Sequence, residues 1–378
     1  MKYYIIAGEA SGDLHGGNLI RYIHESDAQA SIRSWGGDRM QEAGSTLVKH
    51  YRDLAFMGFL EVVKNIRTIL KNISFCKKDI LEFRPDVVVL IDYPGFNLRI
   101  AEWAKSKGFK VVYYIAPQVW AWKENRVIKM KKSIDQMLVI LPFEKDYFQT
   151  KWNWETHYVG HPLMTVVQEA MRQKHTLSIF HSQSHPNKPI IALLPGSRKQ
   201  EILKKLPVML NVCRQFPDYQ FVIAKAPGID AGFYDSMIRN DENVSYVSNQ
   251  TYVLLQNSTA ALVTSGTATL ETALFNVPQV VCYKGNEFSY QIAKRLVNIK
   301  FISLVNLIMD REVVKELIQK EMNSGQLASE LRKILPGGTN RDAILSNYQL
   351  LRAKLSSEGN ASEIAAKIIV STTQSGSN

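Results

Sequence analysis

Lys2-Tyr3-Tyr4-Ile5-Ile6-Ala7-Gly8-Glu9-Ala10-Ser11-Gly12-Asp13-Leu14-His15-Gly16-Gly17 joins a short apolar run to a glycine-punctuated stretch dense in ionisable side chains. The apolar part reads as a buried strand, and the glycines mark a turn where backbone amides can approach a ligand closely. In a doubly wound α/β domain the carboxyl end of the first strand is where ligands sit. The spacing Gly8, Gly12, Gly16 is not the G-x-G-x-x-G of a dinucleotide fold, and Glu9, Asp13 and His15 are poor neighbours for a pyrophosphate. A polar, sugar-like ligand suits the loop better. The competing interpretation is a strand-to-helix turn whose polar groups cap the next helix.

Outward from this loop, strand and helix signals alternate. Strands are expected at 3–7, 31–35, 86–91, 110–115 and 136–140, each closed by a Gly-, Asp- or Pro-containing turn. Residues 171–188 lose periodicity and read as a connection. A second set of strands then runs through Pro189–Leu194, Tyr219–Ala224, Ala260–Thr264 and Gln279–Tyr283. Such alternation implies mostly parallel sheets, and 378 residues exceed what one hydrophobic core usually supports. The expected class is therefore α/β, divided into 1–170, a connection 171–188, 189–355, and a C-terminal helix with a frayed tail at 356–378.

The formal net charge of +11 calls for an anionic partner: nucleic acid, an acidic lipid surface or a phosphorylated substrate. One basic cluster, Lys123 to Lys132, directly follows a Trp-containing segment. Another lies between Phe56 and Lys78, where Phe59, Val63, Ile66, Leu70 and Ile73 recur at helical spacing beside Lys64, Arg67 and Lys71. This pattern fits an interfacial helix, though by itself it fits better an ordinary amphipathic helix packed on its own domain. The unshielded run Leu54-Ala55-Phe56-Met57-Gly58-Phe59-Leu60 favours a membrane contact through Phe56, Met57, Phe59, Leu60, Lys64 and Arg67. No apolar run reaches the length of a membrane span, and residues 1–7 lack a signal-peptide pattern. A cytoplasmic protein bound to the membrane surface is expected. Cys76, Cys213 and Cys282 are far apart and show no ligand spacing, so neither a disulfide framework nor a zinc site is implied.

The second half carries a phosphate-binding pattern. Strand 189–194 delivers Pro195-Gly196-Ser197-Arg198 to the start of a helix, where Arg198 can grip a diphosphate with paired hydrogen bonds. Strand 260–264 leads likewise into Ser265-Gly266-Thr267, with Glu271 one turn further on the same face as Thr267. In the first half, Asp92 ends an apolar strand, and Trp120 and Trp122 alternate in a loop where an exposed indole can stack on a sugar.

Taken in register, several segments resemble the lipid-A-disaccharide synthase family of inverting glycosyltransferases. They are Gly8 to Gly17, Ile91-Asp92-Tyr93-Pro94-Gly95-Phe96-Asn97, Ile115-Ala116-Pro117-Gln118-Val119-Trp120-Ala121-Trp122, Val159-Gly160-His161-Pro162-Leu163, Leu194 to Arg198, and Ser265-Gly266-Thr267-Ala268-Thr269-Leu270-Glu271. The resemblance implies a GT-B architecture, two Rossmann-like parallel-sheet domains facing an interdomain cleft, with acceptor and lipid binding in the first and UDP-sugar binding in the second. It implies transfer from UDP-2,3-diacylglucosamine to 2,3-diacylglucosamine 1-phosphate (lipid X), at the inner face of the cytoplasmic membrane with its anionic lipid. Neither nucleic acid nor a metal or other cofactor is expected, and oligomerisation is left open.

By the same resemblance Arg198, Ser197, Ser265, Gly266, Thr267, Glu271 and Asn306 would bind the UDP-sugar, while Ser11, Asn97, Gln118 and Trp120 would contact the acceptor sugar. Many members carry an acidic residue where this chain has Gly95. The general base is then sought among Asp92, His15, Glu9 and Asp13, with Asp92 first and His15 second because imidazole titrates near neutral pH. His161 is expected to be structural or close to the diphosphate. The alternatives are a UDP-sugar epimerase of the same fold and, disfavoured by the missing glycine fingerprint, an NAD-dependent oxidoreductase.

Overall fold

The computed structural model describes all residues except 54–65, 174–176, 178–187, 239–241, 288–289, 292–298, 358 and 375–378. The chain forms two compact units, Met1–Pro162 with Leu355–Asn378, and Leu163–Lys354.

In the first unit, β1 (Lys2–Ala7), β2 (Ser31–Gly36), β3 (Thr46–His50), β4 (Val87–Ile91), β5 (Lys110–Tyr114), β6 (Gln136–Val139) and β7 (His157–Tyr158) form one parallel sheet in the order β3-β2-β1-β4-β5-β6-β7. β4 is apolar throughout and fully buried, as expected of a strand covered on both faces. β1 shows how the covering divides, because successive side chains point to opposite faces. Tyr4 and Ile6 join Trp35, Phe96 and Ile100 on one face, while Tyr3, Ile5 and Ala7 join Leu19, Ile20 and Ile369 on the other. Ile369 comes from the last helix, Ala361–Gln374, which closes that second face with Ala365 and Ala366. The segment expected to be an appendage thus belongs to the first unit's core.

The second unit holds β8 (Ile190–Leu194), β9 (Gln220–Lys225), β10 (Val244–Ser248), β11 (Ser258–Thr264), β12 (Gln279–Tyr283) and β13 (Glu316–Ile318) in a parallel sheet ordered β10-β9-β8-β11-β12-β13. The helix Leu163–Arg172 packs here against the helices Thr251–Gln256 and Thr267–Leu274. Residues 163–170 therefore pack with the second unit, where the sequence division had set them with the first half.

In each sheet the chain order reverses once, between β1 and β4 in the first and between β8 and β11 in the second. Connections leave in opposite directions at such a switch point, opening a crevice beyond the carboxyl ends of the two strands. Four of the sequence segments singled out above emerge there: the Gly8 loop after β1, Asp92-Tyr93 after β4, Gly196-Ser197-Arg198 after β8, and Ser265-Gly266 after β11.

Candidate active site

At the first switch point the backbone is drawn tight. Asp92 and Tyr93 adopt φ of +45° and +51°, a left-handed conformation that costs non-glycine residues energy. It is held from three sides: the Asp92 N–H donates to the Tyr114 carbonyl at 3.1 Å, and the Asp92 carbonyl accepts from Tyr113 Oη at 2.6 Å and Asn97 Nδ2 at 2.7 Å. The Tyr93 ring lies over Gly8, where a Cβ would fall 2.3 Å from Tyr93 Cδ1. Only glycine lets the two loops approach this closely. Ile115, at the end of the adjacent β5, also has a positive φ of +67°, rare for a β-branched residue.

This environment sorts the four base candidates. Burial, and then the charge of Glu9, push the Asp92 carboxyl up to about 6, while a hydrogen bond from the Tyr93 amide opposes the shift. A carboxylate poised there is ionised at neutral pH yet basic enough to take a proton. His15 moves the other way: burial lowers it to about 4, and its Nδ1 has no hydrogen-bond partner among the described residues. His161 is lowered to about 3 by burial and by the proximity of His15. His15, the second choice for its neutral-range titration, is thus the weaker base, and Asp92, the first choice, is moved toward that range.

Asp13 has a structural task. Its buried carboxylate accepts from the backbone N–H groups of Gly37 at 2.7 Å, Met40 at 3.1 Å and Arg39 at 3.2 Å, tying the helix Ala10–Ser26 to the start of the helix Asp38–Glu42. Its expected place among the bases is corrected accordingly. Asp13→Ala would orphan these donors and should cost about 3 kcal/mol of stability, read as a lower urea midpoint. Full stability together with lost turnover would return Asp13 to the catalytic set.

Asn97 is likewise fully buried. Its amide nitrogen donates to the carbonyls of Asp92, Ile91 at 3.2 Å and Ile6 at 3.4 Å, so it clamps the ends of β1 and β4 and is not placed to touch a sugar. Ser11 and Gln118 are exposed. Trp120 is half-buried, its ring edge-on to Phe143 at 5.0 Å and its Nε1 donating to Glu144 at 3.1 Å. Trp122 is exposed, with Lys123 Nζ 4.2 Å and Arg126 5.6 Å from its ring centroid. The two indoles therefore occupy different environments, and Trp122 is the one exposed enough to stack on a sugar.

Sequence reasoning missed Glu144. This buried carboxylate accepts from the backbone of Leu141 at 2.9 Å and Ile140 at 3.3 Å, and desolvation raises it to about 7, with a smaller contribution from the charge of Asp92. Glu144 sits at the third residue of a helix opened by Pro142, a common capping position, and nothing local separates it from an ordinary cap.

In the second unit, Gly196 turns with φ +125° and Arg198 sits at the N-cap of the helix Lys199–Cys213, exposed, with Glu201 3.6 Å away. Gly266, φ +145°, caps the helix Thr267–Leu274. Ser265 Oγ donates to the Ile302 carbonyl at 2.7 Å and keeps its lone pairs. Glu271 accepts from Tyr252 Oη at 2.9 Å, and burial raises its carboxyl. A second missed residue lies beneath both loops: Lys205 is buried, donates to Thr264 Oγ1 and stands 3.8 Å from Glu201, with burial lowering its ammonium. Asn306 departs from expectation. Its Nδ2 donates to the Val314 carbonyl and to Glu316, and its Oδ1 accepts from the Val313 and Val314 amides, all within 3.0 Å. With both ends of the amide engaged, Asn306 binds its own unit and not a substrate.

Phe56, Met57, Phe59, Leu60 and Lys64 lie outside the described residues, and Arg67 is exposed on the helix Ile66–Phe83. Among the described residues no helix is long and apolar enough to cross a membrane, and no three His, Cys, Asp or Glu side chains are grouped to hold a metal ion. The three cysteines are buried thiols.

Residues 3–369 match the family model described as lipid-A-disaccharide synthetase. The chain belongs to the lipid-A-disaccharide synthetase family. It is similar to the lipid-A-disaccharide synthase of Syntrophus aciditrophicus, 38% identical over 96% of this chain and 95% of that one, and to that of Coxiella burnetii, 36% identical over 97% and 96%. Its fold is similar to the glycotransferase of kitacinnamycin, with a TM-score of 0.67 at 13% identity, covering 98% of this chain and 99% of that one. The UDP-GlcNAc 2-epimerase from Neisseria meningitidis bound to UDP-GlcNAc gives 0.63 at 13% identity, covering all of both chains. Both likenesses concern the fold, which is that of GT-B glycosyltransferases. Position 95 of this chain is an exposed glycine, with nothing among the described residues within 4 Å of where a Cβ would stand.

Proposed function

We propose that this chain is an inverting hexosyltransferase that joins two acylated glucosamines in lipid A assembly, using UDP-2,3-diacylglucosamine as donor and 2,3-diacylglucosamine 1-phosphate as acceptor. The observation that carries this is the family match over residues 3–369. The site residues support it chemically. Asp92 accepts the proton of the acceptor 6-hydroxyl as its oxygen forms the bond to the donor anomeric carbon, and the bond to UDP breaks with its electron pair leaving on the diphosphate. The second unit stabilises that departing charge through Arg198 and the helix start at Gly266-Thr267, with Lys205 beneath them. Glu271 accepts from the ribose hydroxyls. Attack opposite the leaving group inverts the anomeric carbon, giving the β-1,6 disaccharide 1-phosphate and UDP.

Radiolabelled donor incubated with and without acceptor tests this reading. Disaccharide that forms only with acceptor is the expected result; donor epimerised at carbon 2 without acceptor would establish the epimerase alternative instead.

The lipid substrates place the reaction at the cytoplasmic surface of the inner membrane. Support comes from the helix Ile66–Phe83, where Leu70 is 53% exposed beside exposed Arg67 and Lys71, whereas Ile73 is packed in the core. The serine variant of Phe56, Phe59 and Leu60 together should release the enzyme from phosphatidylglycerol vesicles while keeping UDP binding, and raised salt should weaken the wild-type association. A variant that unfolds would show those side chains to be core.

A further inference from the structure

Within the first unit, the helices Pro94–Ser106 and Arg126–Ser133 border a solvent-open cavity of about 400 Å³. That volume is in the range of small-molecule sites, about 300–1,000 Å³, and too large for a lone ion. Arg99, Arg126 and Lys129 line it against one carboxylate, Glu102, with Leu98 as an apolar wall and Gly95 at its edge. The Lys129–Glu102 approach is 3.8 Å between two exposed side chains, an ion pair that contributes little and yields easily. Arg126 lies 5.6 Å from the Trp122 ring centroid, a contact that leaves its planar N–H edge available. Residue 95 contributes no side chain, so the cavity is open on that edge.

The cavity is joined to Asp92 twice. Its wall begins at Pro94, two residues after Asp92. On its other side Arg126 is close enough to Tyr113 for its charge to be felt there, and Tyr113 Oη donates to the Asp92 carbonyl at 2.6 Å. Two guanidiniums and an ammonium facing an apolar wall match a phosphate monoester attached to a sugar: arginine pairs with phosphate oxygens through parallel hydrogen bonds, and lysine adds a point charge.

We infer that this cavity seats the phosphate of the acceptor sugar and thereby selects a phosphorylated acceptor for deprotonation at Asp92. The assignment rests on the transfer proposed above, and the same phosphate chemistry could be supplied by an anionic lipid headgroup. The test is Arg99→Ser with Lys129→Ser, both exposed positions where unchanged thermal melting is expected. Initial rates are compared for 2,3-diacylglucosamine 1-phosphate and for its dephosphorylated form. Wild type should prefer the phosphorylated acceptor; the variant should lose that preference through a KM raised about tenfold, with kcat and UDP affinity retained. A preference that survives the double substitution overturns the inference, as does a variant whose only defect is weaker binding to phosphatidylglycerol vesicles, because the cations then serve a headgroup. Calorimetric titration with glucosamine 1-phosphate needs no turnover. Binding that disappears in the variant upholds the cavity even if no disaccharide forms, an outcome that would defeat only the transfer reading; absence of binding together with unchanged acceptor preference defeats the cavity alone.

Discussion

Asp92→Asn should lower turnover at least about a hundredfold, the usual size of a lost general base, while UDP affinity stays close to wild type. The variant keeps the backbone contacts to Tyr113, Tyr114 and Asn97, since these involve main-chain atoms of residue 92. A loss would therefore report the carboxylate and not a collapsed loop. The pH profile gives the sign. A base must be ionised to accept a proton, so wild-type activity should fall as pH drops through about 6, where burial and Glu9 have moved Asp92. That limb should be absent from Asp92→Asn and retained in His15→Ala, because His15 is already neutral at pH 6. If the limb vanished in His15→Ala and persisted in Asp92→Asn, the assignment would be reversed.

Arg198→Lys should weaken UDP binding about tenfold or more, since a planar fork able to grip two diphosphate oxygens becomes a single hydrated point charge. Arg198 is exposed at its N-cap and pairs only loosely with Glu201 at 3.6 Å, so the substitution should leave stability unchanged. Calorimetry of UDP binding is the measurement. Equal affinity for variant and wild type would remove Arg198 from the diphosphate site and shift attention to Lys205, whose ammonium is already desolvated beneath the same loops.

The edges of the sheets and their centres were not equally legible. Central strands such as β4 and β8 are covered on both faces and read as unbroken apolar runs, so Val87–Ile91 and Ile190–Leu194 stood out at once. The four strands that escaped notice, β3, β7, β10 and β13, are the outermost of their sheets. Thr46-Leu47-Val48-Lys49-His50 and Glu316-Leu317-Ile318 mix charge with apolar residues because an edge strand is covered on fewer sides, and nothing local separates them from loops. The C-terminal helix was visible as a helix, but its place in the core of the first unit depends on a return across the chain that no local pattern encodes.

The same division runs through the site. Sequence alone determined which loops lie at the carboxyl edges of the sheets, because glycine, proline and charged residues following apolar strands mark that edge whatever the strand order. Only the tertiary structure decided what each side chain does there. Asp13, Asn97 and Asn306 have the composition of ligand-binding residues, yet their polar atoms are taken up by backbone groups brought from distant parts of the chain, Asp13 by the amides of Gly37, Arg39 and Met40. His15 lost its expected near-neutral titration, and Asp92 moved toward it, for a related reason. A side chain's proton affinity depends on the water that the fold removes and the charges it sets nearby, and both are properties of burial and proximity that a linear sequence does not contain.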